Sequence, residues 1–197
     1  MSQVKEKWNR IYATASDALP QPCEVLQRYA HLLPRTGSAL DVACGRGGNA
    51  LFCAAHGLVT TAVDISDHVI DSLAATEQQL GTPLQAVAAP VEQWLHTDAN
   101  RGFDVIVVSR FLDRSLVPAL INTLNDNGVI FYQTFIKEKT DAMVGPSNPD
   151  YLLDSNELLS LFDGLVVRAF YDPGAIGDRQ NGERNESYLV AQKAVSQ

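Results

Sequence analysis

Two acids bracket a run of small residues in the first third of this chain. Asp41 stands four residues ahead of Gly45 in the stretch ALDVACGRGGNA, where Gly47 and Gly48 lead into Asn49 and Ala50, and Asp64 follows 19 residues after Gly45. Chain that must turn sharply beside a ligand is built from residues with little side chain, and a helix that starts there offers unpaired N–H groups to it. A carboxylate at the end of the next strand suits a vicinal diol, because it accepts two hydrogen bonds. These residue types point to a nucleoside cofactor on a glycine turn, with Asp64 on the ribose hydroxyls. The spacing Gly45-Arg46-Gly47-Gly48-Asn49-Ala50 also satisfies the GxGxxA dinucleotide pattern, so a nicotinamide cofactor stays open at this point.

Such a site needs a strand to deliver Asp41 and a helix to receive the turn. Short runs at 39–42, 59–63, 84–88, 104–108 and 129–135 are apolar on both faces, which predicts parallel strands covered by helices on each side. Helices are expected over 49–55, closed by Gly57, over 67–80, closed by Gly81, and over 117–124, ending in the turn Asn125-Asp126-Asn127-Gly128. After a polar loop at 137–149, a helix over 155–162 is expected with Ser155 as its N-cap. Two strands at 165–171 and 187–193 follow without an intervening helix and should pair antiparallel. The expected fold is therefore α/β: a Rossmann-like, doubly wound sheet of about seven strands, mostly parallel, with an antiparallel C-terminal pair. It forms one domain over 1–197, with an N-terminal helical cap (1–36), a cofactor-binding core (37–136) and a C-terminal helix and strand pair (137–197). Trp8 and Tyr12 lie four apart on an amphipathic helix of that cap.

At 197 residues the chain can bury roughly 70% of its unfolded surface around one core. The 23 acids outnumber 15 bases, giving a net charge of -8, and no Lys/Arg stripe exists to neutralise phosphates, which argues against nucleic acid as partner. Three cysteines without CxxC spacing (Cys23, Cys44, Cys53) and four scattered histidines suggest neither a disulfide framework nor a metal site. The polar start MSQVKEKWNR and the lack of a long apolar run predict a cytoplasmic protein with no membrane partner.

Around the turn, TAVDIS at 61–66, FDVIVVSRFLDR at 103–114 and NDNGVIFYQTF at 125–135 complete a pattern. Over roughly residues 8–193 the chain resembles the class I S-adenosylmethionine-dependent methyltransferases. Trp8, Ile11-Tyr12, SRFLDR, YQTF and GPSNPDYLLDSNELLSLF are similar to the small tellurite-resistance type within that class. The resemblance implies S-adenosylmethionine as cofactor and methyl transfer to a small-molecule acceptor by in-line displacement. Under it, Ala43, Gly45 and Gly47 pass beside the methionine part of the cofactor, and Asp41 lies near its ammonium or orders the loop. Arg46 and Asn49 brace that loop, Asp64 holds the ribose and Ile65 packs on adenine. Ser109 and Arg110 line the methyl-transfer chamber. Where the family carries an acid near the adenine amine, this chain reads Ala88-Ala89-Pro90-Val91-Glu92, so adenine falls to the backbone around Val91, with Glu92 as a substitute. Tyr12 as a lid, Arg110 as an anion binder, Tyr132 and Gln133 are expected to supply the polar groups of the acceptor pocket. Displacement from a sulfonium calls for alignment rather than a strong acid, which fits the lack of a dyad or metal cluster. An NAD-binding oxidoreductase and a non-catalytic S-adenosylmethionine-binding protein are the two competing readings.

Overall fold

The computed structural model describes residues 2–14, 20–97 and 101–195. Residues 1 and 15–19 of the expected cap lie outside the described residues. Seven strands form one sheet: β1 (Ser38–Val42), β2 (Val59–Asp64), β3 (Leu84–Ala88), β4 (Phe103–Ser109), β5 (Leu124–Phe135), β6 (Val166–Tyr171) and β7 (Glu186–Gln192). Their spatial order is β3-β2-β1-β4-β5-β7-β6, with β1 to β5 parallel and β7 antiparallel to both of its neighbours. Around it pack α1 (Ser2–Ala13), α2 (Glu24–Arg28), α3 (Gly48–Ala55), α4 (Asp67–Leu80), α5 (Val91–Thr97), α6 (Val117–Thr123) and α7 (Glu157–Leu161). The strand order reverses between β1 and β4, and a sheet of this kind opens a crevice at the carboxyl ends of its strands there.

Successive side chains on a strand point to opposite faces, so strands apolar at every position feed two cores. On one face Leu40, Val42, Ile106, Val108, Ile130 and Tyr132 pack with Leu120, Leu158 and Phe162. On the other, Ala39, Val105, Val107 and Phe131 meet Val25, Leu26, Cys53 and Leu58. Ser66 caps α4, its Oγ accepting from Val69 N, and Gly81 closes that helix in the left-handed conformation. No helix among the described residues is long and apolar enough to cross a membrane.

Four local expectations need correction. The turn at 125–128 is a bulge inside β5, which begins at Leu124; the register slips between Phe103 and Val105, and Asn127 takes φ +64°. A helix over 91–97 was not expected, yet Val91, Trp94 and Leu95 recur at helical spacing and turn inward. Ser155 does not cap α7; its hydroxyl donates to Glu138 Oε1, and Asn156, at φ +60°, holds the cap position. Finally, β7 starts one residue early, which draws Glu186 into the sheet with 5% of its surface exposed.

Candidate active site

The chain leaves β1 through three residues with left-handed backbone, Ala43 (φ +51°), Gly45 (φ +51°) and Gly47 (φ +80°), before α3 begins. Gly47 is also crowded: a Cβ there would stand 2.5 Å from Leu73 Cδ1 and force that buried side chain to shift. Asp41, 1% exposed, ties the turn to the sheet by accepting from Ala50 N (3.0 Å) and Asn49 Nδ2 (3.3 Å). It thereby answers one of the orphan N–H groups of the first turn of α3 from a neighbouring strand. Loss of solvent pushes this carboxyl up to about 7, against the downward pull of those two hydrogen bonds. Of the two roles expected for Asp41, the structure displays the ordering of the loop.

Asn49 joins three elements. Its Nδ2 donates to Asp41 Oδ1 and to Ser109 Oγ (2.9 Å), while its Oδ1 accepts from Cys23 N (2.8 Å) at the start of α2. Asp64, at the end of β2, accepts from Gly45 N through one oxygen and from Ser66 N through the other, both at 2.9 Å. Burial raises its pKa, and the N–H groups of Ser66, Gly45 and Ile65 oppose that rise. A carboxylate offers about four lone-pair sites, so these three donors leave room for a further one. Ile65 and Arg46 sit half-buried beside the turn. Ala89 N donates to Asp64 O (2.9 Å), which brings the end of β3 alongside; there Val91 opens α5 with its side chain in the core, and Glu92 is exposed.

The first helix lies over this turn. Asn9 Oδ1 accepts from Ser66 Oγ (2.5 Å), and Lys5 Nζ pairs with Asp67 Oδ2 (2.6 Å). Tyr12 stacks on Trp8 with centroids 5.6 Å apart, and a Cβ on Gly45 would come within 3.0 Å of its hydroxyl. Burial, and then the charge of Asp64, raise the phenol's pKa.

Beside the turn, where β4 and β5 end, opens a cleft of about 450 Å³ whose lining includes Cys23, Glu24, Ser109, Arg110, Gln133 and Glu183. Two buried side chains pin its α2 wall: Asn49 holds Cys23 N, and Gln133 Oε1 accepts from Val25 N (2.9 Å). Burial pushes the Cys23 thiol up to about 12, so this wall offers a thiol and not a thiolate. Arg110 takes φ +54°, a conformation costly for a residue with a Cβ, and its N–H donates to Gln133 O (2.8 Å). Its Nε donates to Glu186 Oε1 (2.8 Å), and Gln133 Nε2 donates to Glu186 Oε2 (2.6 Å).

Tyr132 does not share this cleft with Gln133, because neighbours on a strand face opposite ways. It is 1% exposed in the other core, where its hydroxyl donates to Phe111 O (3.0 Å) and its ring lies 5.4 Å from that of Phe162. The expected pocket role of Tyr132 is therefore replaced by packing. Around the turn the structure gathers Tyr12, Asp41, Ala43, Gly45, Asn49 and Asp64; around the cleft it gathers Ser109, Arg110 and Gln133. Sequence reasoning missed Glu186 altogether. The available signal was an acid opening the apolar run ESYLVAQ.

A family model described as a methyltransferase domain matches residues 14–167. The chain belongs to this methyltransferase-domain family. That membership favours the methyltransferase reading of the glycine turn over the oxidoreductase one. No curated protein sequence matches the chain. Among solved structures, TehB from Haemophilus influenzae superposes with a TM-score of 0.68 at 17% identity, over 96% of this chain and 66% of that one. The chain thus spans slightly less than two thirds of TehB. A SAM-dependent methyltransferase from Aquifex aeolicus gives 0.65 at 13% identity, over 95% of this chain and 97% of that one. The 4+2 cyclase SpnF gives 0.70 at 13% identity, over 98% of this chain and 96% of that one. At these identities the methyltransferase domain shares a fold with all three, and a fold alone does not specify a reaction.

Proposed function

We propose that this methyltransferase domain moves the methyl group of S-adenosylmethionine onto a small-molecule acceptor held in the cleft at the ends of β4 and β5. The reading is carried by one observation: the buried Asn49, in the glycine turn, hydrogen-bonds Cys23 and Ser109 of the cleft lining, so a single side chain ties the turn to the cleft. The residues of the turn suit that cofactor. Left-handed backbone at 43, 45 and 47 removes side-chain bulk on the ligand side, and Asp64 keeps acceptor capacity for ribose hydroxyls. Ile65 would flank the adenine of the bound cofactor, and the N–H groups at Val91 and Glu92 would serve as its donors in place of an acid.

When bound, the cofactor supplies an electrophilic methyl group on a sulfonium. The protein's own task is to align and desolvate. Tyr12 and α1 cover the turn, α2 walls the cleft, and Ser109 and Gln133 present polar atoms between them. Alignment of this kind is worth up to about 7–11 kcal/mol of barrier when the geometry is ideal. A cleft of about 450 Å³ falls within the usual range for small ligands, and the charge of -8 argues against a nucleic-acid acceptor.

Calorimetry with S-adenosylmethionine, S-adenosylhomocysteine and NAD tests the reading. Micromolar binding of the first two and none of NAD is the expected result, followed by release of S-adenosylhomocysteine when an acceptor panel is supplied. Binding of NAD alone would overturn it.

A further inference from the structure

We propose that Glu186 is a positioning residue for acceptor recognition: it holds the Arg110 guanidinium as a preset donor fork on the cleft, and the acceptor carries a carboxylate that this fork binds. The inference rests on the cleft being the acceptor site. A carboxylate that is 5% exposed persists only where donors answer it, and Glu186 has two. Gln133 has no freedom to turn away, since its Oε1 is engaged by Val25 N and its Nε2 must then face Glu186. Arg110 is fixed at both ends, by its backbone N–H on Gln133 O and by its Nε on Glu186.

Two features separate this arrangement from an ordinary structural ion pair. Arg110 occupies a left-handed position where a turn alone would be served by glycine or asparagine. Its side chain also stays 68% exposed although its partner is buried. A guanidinium has five N–H groups, and only the Nε one is hydrogen-bonded here; Nη1 and Nη2 have no hydrogen-bond partner among the described residues. Their planar fork matches a carboxylate with two parallel hydrogen bonds, a geometry an ammonium cannot offer.

The other charges near the cleft are accounted for. Glu24 is paired with Arg28. Burial, then the Glu24 carboxylate beside it, raise the pKa of Glu183, against the opposing pull of the Arg110 and Arg28 charges. Among the described residues, no side chain hydrogen-bonds the Nη edge of Arg110, which faces this wall.

The test uses protein saturated with S-adenosylhomocysteine and titrated with benzoate, benzamide or benzylammonium, followed by NMR. Benzoate should bind at least tenfold tighter than the other two. Arg110→Gln should lose that binding tenfold or more, and Arg110→Lys, which keeps the charge without the fork, should not rescue it. Glu186→Gln keeps an acceptor for Gln133 but removes the counter-charge. It should weaken benzoate and shift the Arg110 Nε–H resonance while S-adenosylhomocysteine still binds. Should Glu186→Gln fail to fold, the Arg110→Lys and Arg110→Gln pair decides. The proposal is overturned if benzoate does not bind, if benzylammonium or benzamide binds as tightly, or if either Arg110→Gln or a folded Glu186→Gln leaves benzoate affinity unmoved. Failure of S-adenosylhomocysteine to bind the unaltered protein would instead remove the methyltransferase reading.

Discussion

Replacing Asp41 with Asn should change how stability depends on pH, and the structure sets the size of the change. A carboxyl whose pKa rises on folding holds its proton more tightly in the folded chain, so stability falls as pH climbs through that interval. For Asp41 the interval runs from 3.8 to about 7, because burial outweighs the hydrogen bonds from Asn49 and Ala50. The slope approaches about 1.4 kcal/mol per pH unit for one proton, and the full interval sums to about 4 kcal/mol. Between pH 5 and pH 7.5 the unaltered protein should therefore lose roughly 2–3 kcal/mol more than Asp41→Asn. Asp104 and Glu157 have lowered pKa values, so their contributions vanish only in more acidic solution. The raised pKa of Asp64 acts in the same direction as Asp41 but is common to both proteins. The amide also brings a donor against Asn49 Nδ2, which is held by Ser109; one mismatched pair of this kind costs about 1–3 kcal/mol. The variant should thus be the weaker protein near pH 5 and close the gap as pH rises. Urea unfolding at pH 5, 6, 7 and 7.5, followed by Trp8 and Trp94 fluorescence, measures both curves. Parallel curves would refute the reasoning.

Asp64→Asn can satisfy only one of the two N–H groups now on Asp64, and should weaken S-adenosylmethionine by about 10- to 100-fold in calorimetry; unchanged affinity would remove Asp64 from the ribose. Gly47→Ala combines φ +80° with a Cβ 2.5 Å from Leu73, so a loss of at least about 2 kcal/mol, or roughly 4–8 °C in Tm, is expected by calorimetric melting. Tyr132→Phe should cost about 1 kcal/mol in denaturant unfolding and leave kcat within about twofold, because it removes one buried hydrogen bond on the face of the sheet opposite the cleft; a tenfold fall in kcat would return Tyr132 to the acceptor pocket.

The parallel core was legible because β1, β2, β3 and β4 are short apolar runs set between glycine-closed helices, and each of those signals is local. What the sequence hid was non-local. Asn125 to Gly128 carry the composition of a turn, yet β4 on one side and Lys193 on the other hold them in the sheet as a bulge. Tyr132 and Gln133 both look polar and strand-terminal, and only the pleat sends one to the core and the other to the cleft. Asp41 and Asp64 were recognisable as acids of the turn, but their hydrogen bonds to Ala50 and Gly45 depend on how β1 and β2 sit side by side. Glu186 became visible only once its antiparallel register, opposite Phe135, placed it next to Gln133 and Arg110.

The position of β7 between β5 and β6 also orders events during synthesis. Residues 186–192 emerge late, yet they occupy an interior place in the sheet. A nascent chain that has reached β5 already holds β1, β2 and β3, and with them the glycine turn, Asp41 and Asp64. Until β7 arrives, however, β5 presents an unpaired edge, β6 has no neighbour, and Arg110 and Gln133 lack Glu186. Such an edge is a template for pairing with other chains. The glycine turn with Asp41 and Asp64 can thus take shape on the ribosome while Arg110 and Gln133 still wait for the carboxylate that joins them.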